Sequence, residues 1–141
     1  MNNQLWKIKK EKLNKTNFFL YSNFIKQAFK IDAGSDYNKI WKWSIDNPEF
    51  FWKSIWDFTK VKGNLGKTYL EESNIFYKNK FFPDTQINYA ENLLKKKGAE
   101  PVIIFKSENG YRESLSWNKL SSNVAKISSW MRFIGIKKGD R

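Results

Sequence analysis

The chain has 141 residues, 40% apolar and 18% aromatic, which is bulk enough for about one folded domain and excludes a disordered polar tail. It contains no Cys and no His, so a disulfide framework, a thiolate metal site, a cysteine nucleophile and the commonest general base are all excluded. The net charge of +12 would suit an anionic partner, but the lysines are spread along the whole chain and Arg occurs only as Arg112, Arg132 and Arg141; a solvated surface is expected rather than a nucleic-acid site.

The first strong periodicity lies in residues 16–29. Leu20, Phe24 and Ala28 recur at i, i+4 and i+8 beside a second stripe of Phe18, Tyr21, Ile25 and Phe29, which predicts an amphipathic helix capped by Thr16 or Asn17. Gly34 and Ser35 break the pattern, and Ser35 or Asp36 can cap a second helix with Tyr37, Ile40, Trp41 and Ser44 along one side. That helix has to end near Ile45, because Asn47 precedes Pro48 and a residue before proline is pushed out of the helical region. Asp46-Asn47-Pro48-Glu49 opens a third helix, with a capping side chain, proline in the first turn and an acid at the positive end of the dipole. Its stripe of Phe51, Trp52, Ile55, Trp56 and Thr59 is wide and is expected to be buried.

The crowd of rings from Trp41 to Phe58 admits two readings, a stacking platform for single-stranded nucleic acid or a core. Helical spacing favours the core, since a platform needs no i, i+4 repeat. Residues 61–80 lose the helical repeat. Gly63 and Gly66 in "GNLGK" lack the spacing of a phosphate loop and predict a turn into an extended or irregular segment.

In "FFPDTQINYAENLL", residues 81–94, Pro83-Asp84 predicts a turn. Asn88 can cap a short helix from Tyr89 to Leu94 whose Tyr89, Leu93 and Leu94 share a face, with Lys95-Lys96-Lys97 at its negative end and Gly98 as its stop. From Pro101 the grammar changes: "PVIIFKS" predicts a strand, "ENG" a hairpin turn and "YRESLS" the returning strand. Ser116 caps a long helix with Leu120, Val124, Ile127, Met131 and Ile134 on one side and Gly135 at its end. A hairpin feeding a one-sided helix normally leads to a further buried strand, so these elements are expected to leave apolar faces uncovered unless a partner or more chain covers them.

"SWNKLSSNVAKISSWMRFIGIKKGDR" resembles the helix and Gly-Asp-Arg turn near the start of the large domain in adenylate-forming enzymes, the acyl-CoA synthetases and their relatives. "DYNKIWKWSIDNPEFFWKSIWDF" looks like the acetyl-CoA-synthetase-type N-terminal segment, and "LWKIKKEKLNKTNFFLYSNF" is similar to the leader of one branch. "FFPDTQINYAENLL" resembles the corresponding stretch of the acetoacetyl-CoA synthetase family, so that the likeness runs from about Leu5 to Arg141.

The resemblance implies an α/β fold, incomplete as a domain: residues 1–100 as an aromatic-rich, mostly helical N-terminal segment, and 101–141 as the start of the AMP-binding large domain. It implies a ligase reaction in which ATP and acetoacetate form an acyl-adenylate and coenzyme A captures the acyl group, with Mg²⁺ offsetting the phosphate charge. The family's phosphate loop, adenine and ribose contacts and catalytic lysine fall beyond Arg141. No catalytic, cofactor-binding or metal-binding residue is therefore assigned here, and Lys137 and Lys138 are expected in an exposed turn. The expected partner is the remainder of the ligase; the expected substrate-side contribution is at most Asn88 or Tyr89, with Phe82 and Pro83 buried in a structural clasp and Asn88 and Asn92 satisfying backbone groups. A small basic module for RNA or an anionic surface, and a scaffold without chemistry, are the alternatives. Residues 1–16 lack the apolar core of a signal peptide and no run approaches a membrane span, so the cytoplasm is expected.

Overall fold

The computed structural model describes residues 8–140; residues 5–7 of the leader and Arg141 of the Gly-Asp-Arg turn lie outside them. The chain divides into two compact units, one ending at Ile87 and the other beginning at Asn88. The 81–94 stretch is thus shared between them, its Phe-Phe-Pro turn in the first and its short helix in the second.

The first unit is built on helices α1 (Lys10–Leu13), α2 (Asn17–Phe29), α3 (Tyr37–Asp46) and α4 (Pro48–Thr59). Thr16 starts α2 by accepting the Phe19 N–H at 3.2 Å, and Asp36 starts α3 by accepting the Asn38 N–H at 2.9 Å, each satisfying a donor that the first turn cannot. At the third start Pro48 stands in the first turn as expected, but Asn47 caps nothing with its side chain. That amide instead closes the preceding helix, Nδ2 donating to the Trp43 carbonyl at 3.5 Å.

The core differs from the predicted stripes. On α2 the buried residues are Tyr21, Ser22 and Ile25, while Leu20 is 48% exposed and Ala28 lies in solvent; the second stripe is the inward one. On α3 Ile40 and Trp43 are buried and Tyr37 and Trp41 point out. No aromatic of α4 is fully buried. Phe51, Ile55 and Phe58 pack partly buried against the core, whereas Trp52 and Thr59 are exposed. The rings that do pack meet edge-on or tilted, Tyr21 to Phe58 at 5.2 Å and Phe29 to Trp43 at 5.8 Å, as ring quadrupoles prefer.

At the centre sits one polar relay. The Ser54 hydroxyl donates to the Phe51 carbonyl at 2.6 Å, which leaves the Tyr21 phenol to donate to Ser54 Oγ at 2.6 Å. Ser54 is fully buried, and burial pushes the Tyr21 pKa up. The Ser54→Ala variant should therefore lose about 1–3 kcal/mol, since it strands a buried phenol, and Tyr21→Phe less, since Ser54 keeps its carbonyl partner. The pH dependence has a definite sign. Folding favours the neutral phenol, so this stability is complete below pH ~10 and is lost as pH rises from there toward the folded-state pKa. Urea melts at pH 8 and 10.5 should show a larger alkaline loss in the parent chain than in Tyr21→Phe.

Residues 61–87 form an irregular strap with two paired bridges. β1 (Gly63–Asn64) pairs antiparallel with β4 (Gln86–Ile87), and β2 (Leu70–Glu71) with β3 (Lys80–Phe81). The two glycines of "GNLGK" serve this packing. A Cβ on Gly63 would lie 2.7 Å from the Gln86 carbonyl oxygen, and one on Gly66, at φ +74°, would lie 2.8 Å from Asp84 Cβ. The predicted turn at Pro83-Asp84 is present, with the Thr85 N–H donating to the Phe82 carbonyl at 3.0 Å. The clasp is looser than expected: Phe82 is half-buried against Trp56 and Tyr69, and Pro83 is exposed. Phe82 has φ +51°, a conformation a bulky residue rarely takes, and it is held by its N–H on the Tyr69 carbonyl and by those two rings.

The second unit holds α5 (Tyr89–Leu93), the antiparallel hairpin β5 (Pro101–Lys106) and β6 (Arg112–Ser116), and α6 (Trp117–Phe133). The strands, their turn and the capped helix match the sequence expectation. Gly110 at φ +84° closes the hairpin, its N–H donating to the Ser107 carbonyl, and Ser116 Oγ accepts the Lys119 N–H at 3.3 Å.

Candidate assembly surface

Asn88 is fully engaged in building α5. Its Oδ1 accepts the Glu91 N–H at 3.1 Å, and its carbonyl accepts Asn92 Nδ2 at 3.0 Å, so both asparagines satisfy backbone groups at the bend as expected. Tyr89 lies one turn before Leu93 on α5 but is 75% exposed and does not line the groove that Leu93 and Leu94 line. Ala90, Leu93 and Leu94 of this segment line a groove of about 350 Å³ together with Val102, Trp117 and Leu120.

Gly98 lies past the end of α5 and does not stop it; Leu94 closes that helix with its N–H on the Ala90 carbonyl. Gly98 docks on the start of α6, its N–H donating to Asn118 Oδ1 at 3.0 Å and its carbonyl accepting the Asn118 N–H at 3.1 Å. The lysine run next to it is structural as well as polar. Lys96 pairs with Glu100 at 2.9 Å, holding that carboxyl below its usual pKa, and lies 5.6 Å above the Trp117 ring, while Lys97 donates to Ser121 Oγ at 3.1 Å. Lys96–Glu100 is a local i, i+4 pair, but the contacts of Gly98 with Asn118, Lys96 with Trp117 and Lys97 with Ser121 cross twenty residues or more of sequence, and no local pattern announces them.

Helix α6 ends on Gly135 at φ +88°, where the Ile136 N–H reaches back to the Met131 carbonyl and the Gly135 N–H to Arg132. The predicted apolar side is real but open. No residue of α6 is buried, and the apolar side of its last two turns stands open, with Ile127 55%, Trp130 59% and Phe133 88% exposed, opposite a polar side on which Arg132 donates to Ser128 Oγ at 2.8 Å. An apolar stripe along one side of a helix is normally buried against another element. Lys137 and Lys138 stand exposed in the turn beyond, where Asp140 Oδ2 accepts the Lys137 N–H at 2.7 Å.

Two further features of the first unit have no signal in the sequence. A 3-10 turn at Phe76–Lys78 holds Phe76 and Tyr77 almost fully in solvent, braced by the Ser73 N–H on Asn79 Oδ1 at 2.8 Å. Beside it a shallow polar concavity of about 650 Å³ is lined by residues including Glu71, Glu72 and Lys80. Among the described residues no group of three or more His, Cys, Asp or Glu side chains could hold a metal ion. Nor is any helix among them long and apolar enough to cross a membrane.

Comparison with known proteins assigns this architecture. The acetoacetyl-coenzyme A synthetase of Rhizobium meliloti (strain 1021) is 34% identical over 107 residues, 76% of this chain and 16% of that enzyme. The chain is homologous to the N-terminal part of acetoacetyl-CoA synthetase. The acetoacetyl-CoA synthetase of Xenopus tropicalis is 33% identical over 113 residues, with the same shares of each chain. Among solved structures, acetoacetyl-CoA synthetase from Streptomyces lividans matches 99% of this chain and 22% of its own at a TM-score of 0.82 and 22% identity, which shows the shared fold of that N-terminal part. No family model matches the chain. The chain thus spans about a sixth of the length of the acetoacetyl-CoA synthetases it resembles, and its mixture of helices and small strands is that of their N-terminal portion.

Proposed function

We propose that this chain serves as the N-terminal structural portion of an acetoacetate–CoA ligase, folding an aromatic helical unit and presenting the hairpin and α6 as the first elements of the large domain. The observation that carries the reading is the homology to the N-terminal part of acetoacetyl-CoA synthetase, and the open apolar side of α6 agrees with it. On this reading the ligase converts acetoacetate, ATP and CoA to acetoacetyl-CoA, AMP and pyrophosphate in the cytoplasm. ATP, Mg²⁺ and CoA are held by the rest of the enzyme, and no residue of this chain is assigned to them. What residues 8–140 contribute is position: they cover apolar surface, keep water from it and fix where the first sheet elements stand.

The test is a chimera in which residues 1–141 replace the matching N-terminal part of the Rhizobium meliloti enzyme. Acetoacetate- and CoA-dependent release of AMP and pyrophosphate is expected, with no turnover by either piece alone. A soluble, folded chimera that consumes no ATP with acetoacetate and CoA would refute the proposal.

A further inference from the structure

The two strands of the hairpin are chemically unlike. β5 carries Val102, Ile103, Ile104 and Phe105 in succession, so both of its faces are apolar, whereas a strand with one wet face alternates. Within the second unit this investment is unused, Ile103, Ile104 and Phe105 each being about half exposed. β6 reads Arg-Glu-Ser-Leu-Ser, with a charged end and a single large apolar side chain, the composition by which sheets keep an outer edge from pairing.

The backbone shows which groups each free edge offers. The Ser107 N–H donates to the Tyr111 carbonyl at 3.0 Å, which makes these two a hydrogen-bonded pair. The register continues without a shift through Phe105–Glu113 to Ile103–Leu115. By antiparallel alternation the intervening residues, Ile104 and Lys106 on β5 and Arg112 and Ser114 on β6, turn their N–H and C=O groups outward. Those of β5 lie amid apolar side chains, where an unpaired backbone group is costly once water is excluded.

We infer that β5 is an interior strand of a larger sheet whose free edge takes an extended strand from the remainder of the ligase, and that β6 is the outer edge of that sheet. The inference rests on the functional reading above, since relatives of which this chain spans only 16% supply the further chain. It goes beyond that reading by naming the edge that is used and the kind of element that fills it.

Residue-resolved hydrogen–deuterium exchange on the chain alone and on the chimera tests this. In the chain alone the amides of Ile104, Lys106, Arg112 and Ser114 should all exchange fast. In the chimera those of Ile104 and Lys106 should slow by roughly 100-fold or more while Arg112 and Ser114 stay fast, because only a newly hydrogen-bonded edge is protected. An active chimera in which Ile104 and Lys106 remain fast, or in which Arg112 and Ser114 slow instead, overturns the strand assignment and leaves the ligase reading standing. A folded chimera without activity overturns the ligase reading, and the strand assignment falls with it.

Discussion

Replacing Ile25 by alanine should lower the stability of the first unit by about 2–5 kcal/mol, while Leu20→Ala, little more than one helical turn away, should change it by about 0.5 kcal/mol or less. Both residues sit on α2, both are branched aliphatics, and the sequence offers both as core candidates. The difference lies in what surrounds them. Ile25 has no exposed surface and belongs to the cluster of Tyr21, Ala33, Ile40 and Trp43, with Phe24, Phe29 and Phe58 packed around it. Removing three carbons there forfeits transfer free energy and leaves a cavity that neighbouring rings, too rigid to collapse, cannot fill. Leu20 is half in water already, and alanine is the better helix former, so the loss is small and partly offset. Urea denaturation followed by tryptophan fluorescence reports both, since Trp43 lies in that cluster. Equal losses at the two positions would show that the buried stripe has been misassigned.

Ile127→Asp should leave the isolated chain folded and make it more soluble, yet abolish turnover in the chimera. In the second unit this side chain is 55% exposed, so a carboxylate there stays hydrated at little cost. If α6 is covered in the assembled ligase, the same carboxylate is driven into apolar surroundings with no partner, a penalty of several kcal/mol or about 100-fold or more in the assembled fraction. Lys126→Asp supplies the control. It brings the same new carboxylate one position along, on a residue that is polar to begin with, and should be tolerated in both settings. The measurements are sedimentation of the chain alone against concentration, where Ile127→Asp should reduce self-association, and ATP consumption by each chimera. An active Ile127→Asp chimera would mean that the open face of α6 is a solvent face, contrary to the proposed role.

Much of the chain's local organisation is written in short windows of sequence. Thr16, Asp36, Asn88 and Ser116 each cap a helix, and Gly110 and Gly135 occupy the left-handed positions their turns require. These features depend on a residue and its neighbours within four positions, so the information lies in consecutive residues. Asn47 and Gly98 show where such reading fails. Each has the right residue type beside a helix end, and each is claimed by a competing partner, Trp43 for the first and Asn118 for the second. The candidate surface is legible to the same degree. The apolar run of β5 and the stripe of α6 are visible in the sequence, whereas the exposure of Phe76 and Tyr77 and the stacking of Lys96 on Trp117 are not, because packing at a distance sets them.

Taken alone, the order of residues decides where α2, α3, α5 and α6 begin, that the hairpin turns at Asn109-Gly110, and that no cysteine or histidine chemistry is available. It also carries the likeness to acetoacetyl-CoA synthetase, since a string such as "FFPDTQINYAENLL" is compared position by position and needs no coordinates. Only the tertiary structure decides which of two adjacent apolar stripes on α2 faces inward, that Trp43 and not Trp41 is buried on α3, and that α6 is left open. The physical reason is that a helical period defines an apolar arc wider than one neighbour can cover. Which part of the arc meets that neighbour depends on where the other elements stand, and that choice is made by packing among residues far apart in the chain.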